Sequence, residues 1–269
     1  MALVQMPDKV LQQVVKNCEF TEIQSLRKVC HKFRNIIEDF KPNYLLRRLD
    51  IDLRENEVLL DIYTNAKNTR WLRFLYEKQS NGCLITSFAK FVEKGEKLVK
   101  NAEFLKVFFE GLKHILMSQR TSLESFHIGF TYNDDDSDDD DDDLSGQICK
   151  SMEENEARFL VNIQKILNDR RRPLLIEDFA MTMINQNQVM HVLPFVDPKE
   201  LRRITFQHSH HRDCLKVFEI TDIVITEQWK GAKEIAIRNF LVDIPKKHFE
   251  HFKKKEVNHV SELRNAHLF

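Results

Sequence analysis

The sequence has little glycine and proline and no long apolar run. With 6 Gly and 6 Pro among 269 residues, it is not a low-complexity chain. The glycines do not cluster, which excludes a phosphate-binding glycine loop. No stretch approaches the roughly 20 apolar residues that cross a bilayer, and Asp8 and Lys9 interrupt any signal peptide. We therefore expect a soluble protein with no membrane partner.

The sequence contains few cysteines, and their spacing does not indicate disulfide bonds. The five cysteines, Cys18, Cys30, Cys83, Cys149 and Cys214, are odd in number and widely spaced. Such spacing, with no Cys-x-x-Cys pair, is typical of reduced intracellular thiols. We expect the protein in the cytoplasm, the nucleus or both.

Catalytic signatures are also missing. There is no Gly-x-Ser-x-Gly elbow and no His-Glu-x-x-His pair. One cluster contains metal-ligating residue types: His208, His210, His211, Asp213 and Cys214. It follows a predicted strand end, which favours an exposed loop over converging ligands. We predict a non-catalytic protein with no metal and no cofactor.

The net charge of -1 hides an acidic block. Residues 134–143 hold nine Asp around Ser137. Without them the remaining 41 basic and 33 acidic residues (42 less nine) give +8. Such a run repels itself and buries no surface, which predicts a disordered insertion over residues 133–145. Its acidic context makes Ser137 a hypothetical phosphorylation site. A second interpretation is an acidic arm that folds back on the basic remainder.

The first forty residues carry the clearest pattern. Pro7 and Asp8 suit a helix start, and Thr21 with Gln24 resembles a capping box. Apolar residues then follow at helical spacing: Val10, Leu11, Val14 and Val15, and later Ile23, Leu26, Cys30, Phe33, Ile37 and Phe40. With no Gly or Pro between Glu22 and Phe40, the periodicity predicts one unbroken second helix.

This segment, residues 1–45, resembles the F-box. The resemblance lies in Met6-Pro7, the Glu22-Ile23 pair, and the motif Leu26-Arg27-x-Val29-Cys30-x-x-Phe33-Arg34. It departs from the family at Met6 (usually Leu), Glu22-Ile23 (usually Asp-Leu) and Phe33 (often Trp). The family breaks its helix near Cys30-His31, where our periodicity shows no break. The resemblance implies docking on the Skp adaptor of a cullin–RING ubiquitin ligase. The expected contacts are Met6, Pro7, Val10, Leu11, Val14, Leu26, Val29, Cys30 and Phe33.

The pattern of residues 46–100 predicts an antiparallel β-meander. Short strands are indicated near Leu49–Leu53, Val58–Tyr63, Trp71–Tyr76 and Leu84-Ile85. Asn81-Gly82 predicts a hairpin, because both residues tolerate positive φ. A helix follows from about Asn101 to Ser118.

A degenerate strand–helix repeat occupies residues 101–269. The central apolar residues of the strands align as Phe126, Phe179, Ile204, Ile235 and Val260. Helical stretches lie between them at about 158–168, 189–195, 223–229 and 246–254. The first spacing, of 53 residues, contains the acidic insertion, and the later spacings are 25, 31 and 25 residues. A strand and a helix at this later spacing predict a leucine-rich-repeat-like solenoid. The alternative is an ordinary α+β domain with strands of chance spacing.

Three motifs in this region are similar to the FTH domain, which occurs downstream of F-boxes. They are Val192–Pro198, Glu227–Glu234 and His248-Phe249-x-His251-Phe252, and the resemblance covers roughly residues 100–269. We therefore predict an α+β protein: an F-box, a meander and an FTH-type repeat region. The two resemblances imply a substrate receptor that bridges the Skp adaptor, and through it a cullin, to an unknown protein target.

A nucleic-acid-binding or other scaffold function is the alternative. It rests on Arg170–Arg172, Lys253–Lys255 and the basic remainder. Both runs flank predicted helix ends, where cations suit the helix dipole, and no RNA-binding motif is present. We therefore expect no nucleic-acid partner.

Target recognition is predicted on the outward-facing strand residues. These alternate with the aligned apolar positions: Asp178, Ala180, Arg203, Thr205, Gln207, Glu234, Ala236 and Arg238. Trp229, if partly exposed, is the candidate binding hot spot, although a buried core Trp is the favoured interpretation.

Overall fold

The computed structural model of the 269-residue chain describes residues 5–64, 71–90, 92–132, 142–209 and 216–259. The helices are α1 (Asp8–Lys16), α2 (Phe20–Val29), α3 (His31–Phe40), α4 (Phe104–Ser118), α5 (Asp142–Asn168), α6 (Gln186–Met190) and α7 (Glu227–Gly231). The strands are β1 (Arg48–Leu53), β2 (Glu57–Tyr63), β3 (Trp71–Gln79), β4 (Gly82–Ala89), β5 (Val92–Lys100), β6 (Leu123–Phe130), β7 (Ile176–Met183), β8 (Arg203–His208), β9 (Lys216–Phe218), β10 (Glu234–Val242) and β11 (Lys254–His259).

The N-terminal segment folds into three short helices, so the single helix predicted from Glu22 to Phe40 is wrong. Cys30 has an extended backbone, with φ -163° and ψ 165°, and it separates α2 from α3. Its carbonyl already accepts the first hydrogen bond of α3, from Arg34 N–H at 3.2 Å. The break lets Ile23 on α2 and Phe33 on α3 enter one core with Leu11. Tertiary packing thus interrupts a helix that no local residue stops.

Both helix starts lie slightly away from their predicted positions. Pro7 precedes the first helical residue, Asp8. Helix α2 begins two residues before Glu22, and its capping box joins Glu19 and Glu22 rather than Thr21 and Gln24. The Glu22 carboxylate accepts from the Glu19 N–H at 2.8 Å.

The described strands form one open sheet with an antiparallel and a parallel half. The spatial order is β11-β10-β8-β7-β6-β1-β2-β3-β4-β5, and β9 pairs with β10. Strand β1 joins the halves: it is antiparallel to β2 and parallel to β6. From β6 to β11 the paired strands are parallel. The predicted meander and the predicted repeat region therefore share a sheet.

The alignment of apolar strand centres is confirmed at four positions. Phe126 pairs with Phe179, Phe179 with Ile204, and Ile204 with Ile235. At the fifth strand the alignment is wrong, because Lys255 faces Ile235 and Val260 lies outside the described residues. The last strand begins earlier than predicted.

The connections between these strands differ more from prediction. Helix α5 begins at Asp142, inside the insertion predicted to be disordered, while residues 133–141, with Ser137, lie outside the described part of the chain. The stretch at 189–195 is α6 with a 3-10 turn, Leu193–Phe195. At 223–229 only α7 is helical, because Thr226 caps it by accepting from Trp229 N–H at 3.2 Å. At 246–254 there is a 3-10 turn, Lys246–Phe249, before β11.

The predicted hairpin is present, with a different turn geometry. Gln79 pairs with Gly82, which leaves Ser80 and Asn81 as the loop. Gly82 has φ +151°, whereas Asn81 is not in the positive-φ region. A Cβ on Gly82 would lie 2.1 Å from the Val99 carbonyl oxygen, so glycine is required where β5 approaches. Strand β5, exposed along most of its length, carries no alternation that would predict it.

The core lies between one face of the sheet and the helices α4 and α5. Phe108 on α4 and Phe159 on α5 stack with ring centroids 5.9 Å apart. Tyr76 of β3 and Phe130 of β6 meet these rings edge-on at 5.5 and 5.7 Å. Burial of each Phe stabilises the fold by about 1.5–3 kcal/mol. The same apolar cluster continues into α1–α3, so the F-box-like helices share the core of the sheet.

Candidate adaptor-binding and target-binding surfaces

The start of α1 and the α2–α3 junction lie side by side and expose apolar side chains. Lys32, at the start of α3, donates to the Met6 carbonyl at 3.0 Å and lies 3.3 Å from Asp8 Oδ1. Val29 is 63% exposed and Val10 is 43% exposed. Large apolar residues left in solvent at this level mark a candidate interface when they cluster.

The predicted adaptor contacts divide into a surface set and a core set. Pro7, Val10 and Val29 are exposed, and Met6, Val14, Leu26 and Cys30 are half-buried. Leu11 and Phe33, by contrast, are only 0% and 1% exposed. Both side chains lie in the core that holds the three helices together and present no free surface in this structure, and their contact with an adaptor stays a prediction. The apolar stripe could not separate the sets, because one periodicity serves both burial and binding.

A buried glutamine fastens the helical segment to the sheet, and no sequence pattern predicted it. Gln119, at the end of α4, is 1% exposed. Its Oε1 accepts from Leu46 N–H at 3.0 Å, and its Nε2 donates to the carbonyls of Leu46 and Thr121 at 3.1 and 3.0 Å. The Gln119 side chain therefore makes the two backbone hydrogen bonds to Leu46 that a neighbouring strand would otherwise make, and Leu46 lies in the connector between α3 and β1.

Two arginines reinforce this junction. Arg120 donates to the Lys41 carbonyl at 3.0 Å, and Arg170 donates to the Gln119 carbonyl at 3.0 Å. Burial lowers the pKa of the Arg170 guanidinium. The ring of Tyr44 packs edge-on against Phe20 at 5.0 Å. These contacts fix α1–α3 against the rest of the molecule.

The predicted target-binding residues on the strands lie in register on the sheet face that bears none of the described helices. Across the parallel strands the rows pair Asp178 with Arg203 with Glu234, and Ala180 with Thr205 with Ala236. A third row pairs Gln207 with Arg238. We call this surface the open face. The structure brings all of these strand residues together, whereas Trp229 lies on α7.

Charges on the open face neutralise one another. Arg203 lies 2.5 Å from Glu234 and 3.3 Å from Asp178, and Lys254 lies 3.2 Å from Glu234. Arg238 donates to Glu256 at 2.9 and 3.0 Å. The hydrogen bond from Arg203 lowers the pKa of Glu234. Three positive and three negative side chains thus sum to zero along the strands, and exposed ion pairs of this kind contribute little to stability.

The open face continues into the antiparallel half, which the sequence did not indicate. Arg73 donates to Asp61 at 2.8 and 2.7 Å, and Arg48 donates to Asp50 at 2.9 and 2.8 Å. His127 lies between the halves, with Nε2 3.2 Å from Thr182 Oγ1. Burial lowers its pKa, against the opposing effect of nearby carboxylates. The polar ladder therefore extends beyond the parallel strands.

Trp229 is not an exposed hot spot: it is 1% exposed, as the favoured interpretation expected. Its Nε1–H donates to the His248 carbonyl at 3.1 Å, and its own carbonyl meets His251 Nε2 at 2.9 Å. Phe249 and Phe252 pack edge-on against its ring at 5.4 and 4.9 Å. The residues quoted from two FTH-like motifs thus meet in space and stabilise the fold.

The third motif joins them through Gln228. Its Nε2 donates to the Val196 and Pro194 carbonyls at 2.7 and 3.3 Å. A short helix and a proline-bounded turn are thereby held together on the helix-bearing side.

The candidate metal cluster is only partly described. His208 is 4% exposed and packs edge-on against Phe240 at 4.8 Å. The other members, His210, His211, Asp213 and Cys214, lie outside the described residues. Within the ranges that the structure describes, no three His, Cys, Asp or Glu side chains are grouped to hold a metal. Among the described helices, none combines the length and apolarity that crossing a bilayer requires.

Comparison with known families matches two domains in this chain. The F-box domain model matches residues 3–45, and the FTH domain model matches residues 157–267. The first match covers α1–α3 and the second covers most of the parallel half of the sheet. The chain thus contains an F-box domain followed by an FTH domain.

A curated relative has the same general description. It is the "F-box A protein 224" of Caenorhabditis elegans, 20% identical over 263 residues. The match covers 96% of this chain and 59% of the relative. No solved structure is similar enough to count as a match.

Proposed function

We propose that the protein is a non-catalytic substrate-recognition subunit of a Skp–cullin–F-box ubiquitin ligase. The observation that carries the proposal is the F-box match over residues 3–45, in which Val10 and Val29 stay exposed although the neighbouring apolar residues are buried. In this account α1–α3 bind the Skp adaptor, and through it a cullin. The remainder holds a protein target of unknown identity.

The rigid junction supports a bridging role. A receptor must present its target at a defined position relative to the adaptor, because transfer to the target depends on proximity. The Gln119 amide and the shared apolar core fix α1–α3 against the sheet. Such a connection suits a subunit that holds its target at a fixed position relative to the adaptor.

We further propose that the parallel half is a leucine-rich-repeat-like solenoid whose open face contacts the target. The four aligned strand centres and the sequential parallel order of β6, β7, β8 and β10 support this. Thr205 and Gln207, both half-buried and neutral, lie between the paired charges and are the expected direct contacts. Asp178, Arg203, Glu234 and Arg238 would set polar complementarity at their margins.

The alternative, nucleic-acid binding, has weaker support. Arg170 is committed to the Gln119 carbonyl, and Lys254 lies beside Glu234. These contacts occupy one cationic side chain in each basic run, which leaves it less available to bind phosphate. The proposal accordingly includes no nucleic-acid partner and places the protein where Skp and cullin subunits act, in the cytoplasm, the nucleus or both.

Adaptor capture tests the proposal. The variant Val10→Asp with Val29→Asp places two charges on the exposed apolar surface without touching the core. We expect it to lose capture of purified Skp adaptor by at least about tenfold, since burying an unpaired carboxylate costs more than 1.4 kcal/mol. Val92→Asp is the matched control, because Val92 is 57% exposed on β5, far along the sheet.

Thermal melting verifies that each variant is folded. If the folded double variant captures the adaptor as well as the wild type does, the assignment of this surface fails. If the wild type captures no adaptor, the ligase function itself fails.

A further inference from the structure

A groove lies on the helix-bearing side of the FTH region, away from the open face. Its volume is about 1030 Å³, and its walls come from α5, from α6 with the following 3-10 turn, and from the segment around the start of α7. This is at the upper end of the volumes of small-ligand sites, about 300–1,000 Å³, and accommodates several side chains. It has no place in the adaptor or open-face contacts described above.

The walls are largely apolar and already formed. Met190, Pro194, Pro198 and Ile225 line the groove. Ile225 is 68% exposed, a large share for a β-branched side chain next to a concave surface. The Gln228 amide ties the Pro194 wall to α7 through its bonds to the Pro194 and Val196 carbonyls. A ligand would therefore find an apolar surface without first having to open it.

Two carboxylates give the edge of the groove a negative charge. Asp222 and Glu227 line it, and no Lys or Arg does among the described residues. Glu227 lies 2.9 Å from Lys230 and is partly neutralised, whereas Asp222 is exposed. A concave site with carboxylates at its edge attracts cationic groups.

One further side chain offers a directed hydrogen bond. His191 Nδ1 lies 2.8 Å from Gln164 Oε1, which makes Nδ1 the donor and leaves Nε2 as an acceptor in the neutral ring. Both residues line the groove. A few directed polar groups in an apolar cleft are typical of sites that select a ligand.

We propose that this groove binds a short target segment in which an apolar anchor, such as Leu, Met or Phe, is flanked by Lys or Arg. The anchor packs on Ile225 and Met190, and the flanking cation lies near Asp222 and Glu227. This inference rests on the proposed receptor function and gives it a partner chemistry. It also supplies the apolar contact that the ion-paired residues of the open face do not offer.

Selection from a phage-displayed library of random peptides tests the groove directly, using the full chain without adaptor. We expect enriched peptides to share an apolar residue next to Lys or Arg and to bind with a Kd of about 1–100 µM. Ile225→Arg should weaken them at least about tenfold, by removing the apolar contact and repelling the cation. Val92→Arg, at another exposed apolar position on β5, should leave binding unchanged.

A second variant measures the contribution of the two groove carboxylates alone. Asp222→Asn with Glu227→Gln should weaken binding about threefold to tenfold and reduce its salt dependence. The absence of any enriched peptide, enrichment of peptides without basic residues, or undiminished binding to Ile225→Arg would each overturn the inference. Ile225→Arg should still capture the Skp adaptor, so failure here is distinguishable from failure of the ligase assignment.

Discussion

At the residue scale, a single side-chain amide joins the connector between α3 and β1 to the end of α4. Gln119 reaches Leu46 across 73 positions of sequence, and no local pattern marks a glutamine with such a partner. Periodicity identifies which residues face a core, but it does not identify a polar residue that satisfies distant backbone groups. Most of the site residues that the sequence predicted accordingly lie on helices and strands, and the residue that joins the helical segment to the sheet was missed.

The contribution of this amide can be measured. Gln119→Ala leaves the Leu46 N–H and C=O buried without their partner. We expect the free energy of unfolding to fall by about 2–4 kcal/mol, because each unsatisfied buried group costs about 1–3 kcal/mol. Urea denaturation provides the measurement, and Gln79→Ala, at an exposed position at the end of β3, is the control. A loss no larger than that of the control would show that the junction is held by apolar packing alone.

The burial of Leu11 and Phe33 also belongs to this scale. Leu11 and Val10 belong to the same apolar stripe, and Phe33 and Val29 to the same F-box-like motif, yet Leu11 and Phe33 are in the core while Val10 and Val29 are exposed. The spacing identifies an amphipathic helix. Which members remain exposed depends on where the neighbouring helices lie, and that is set by the break at Cys30.

At the scale of elements, four of the parallel strands could be aligned from the sequence, whereas most of their connections could not be predicted. A strand with a buried centre requires an apolar residue at fixed alternation, so Phe126, Phe179, Ile204 and Ile235 could be aligned. The helix break at Cys30 has no glycine or proline to indicate it, and only the resemblance to the F-box placed it. Strand β5 was missed because it is exposed on both faces.

Two glycines in β4 and β5 separate two reasons for glycine: lack of space for a Cβ and a positive φ. Gly82 and Gly95 have nearly the same φ, +151° and +153°, but only at Gly82 does an added Cβ meet another atom. Gly95→Ala should therefore cost only the strain of an unfavourable φ, about 1–3 kcal/mol. Gly82→Ala should cost at least about 2 kcal/mol more, because β5 must move away from β4.

Chemical denaturation of both variants gives the comparison. Equal losses for the two substitutions would contradict the close approach of Val99 to Gly82. A smaller loss at Gly82 than at Gly95 would contradict it more strongly.

At the scale of the whole molecule, the N-terminal helices and the sheet form one connected unit. The F-box helices and the FTH strands share one apolar cluster and a buried polar junction. The proposed adaptor surface lies on α1–α3, while the open face and the groove belong to the FTH region. Binding at one end should consequently leave the other end free to hold a target.

The most direct test of this account is hydrogen–deuterium exchange of the full chain with and without saturating Skp adaptor. We expect added protection in the residues of α1 and in those flanking the α2–α3 junction, where Val10 and Val29 are exposed. Amides of β6, β7, β8 and β10 should exchange as they do without adaptor, since the junction is already rigid. Protection centred on those strands, with α1 and α2 unchanged, would contradict the central claim that the F-box helices are the adaptor-binding end of a receptor.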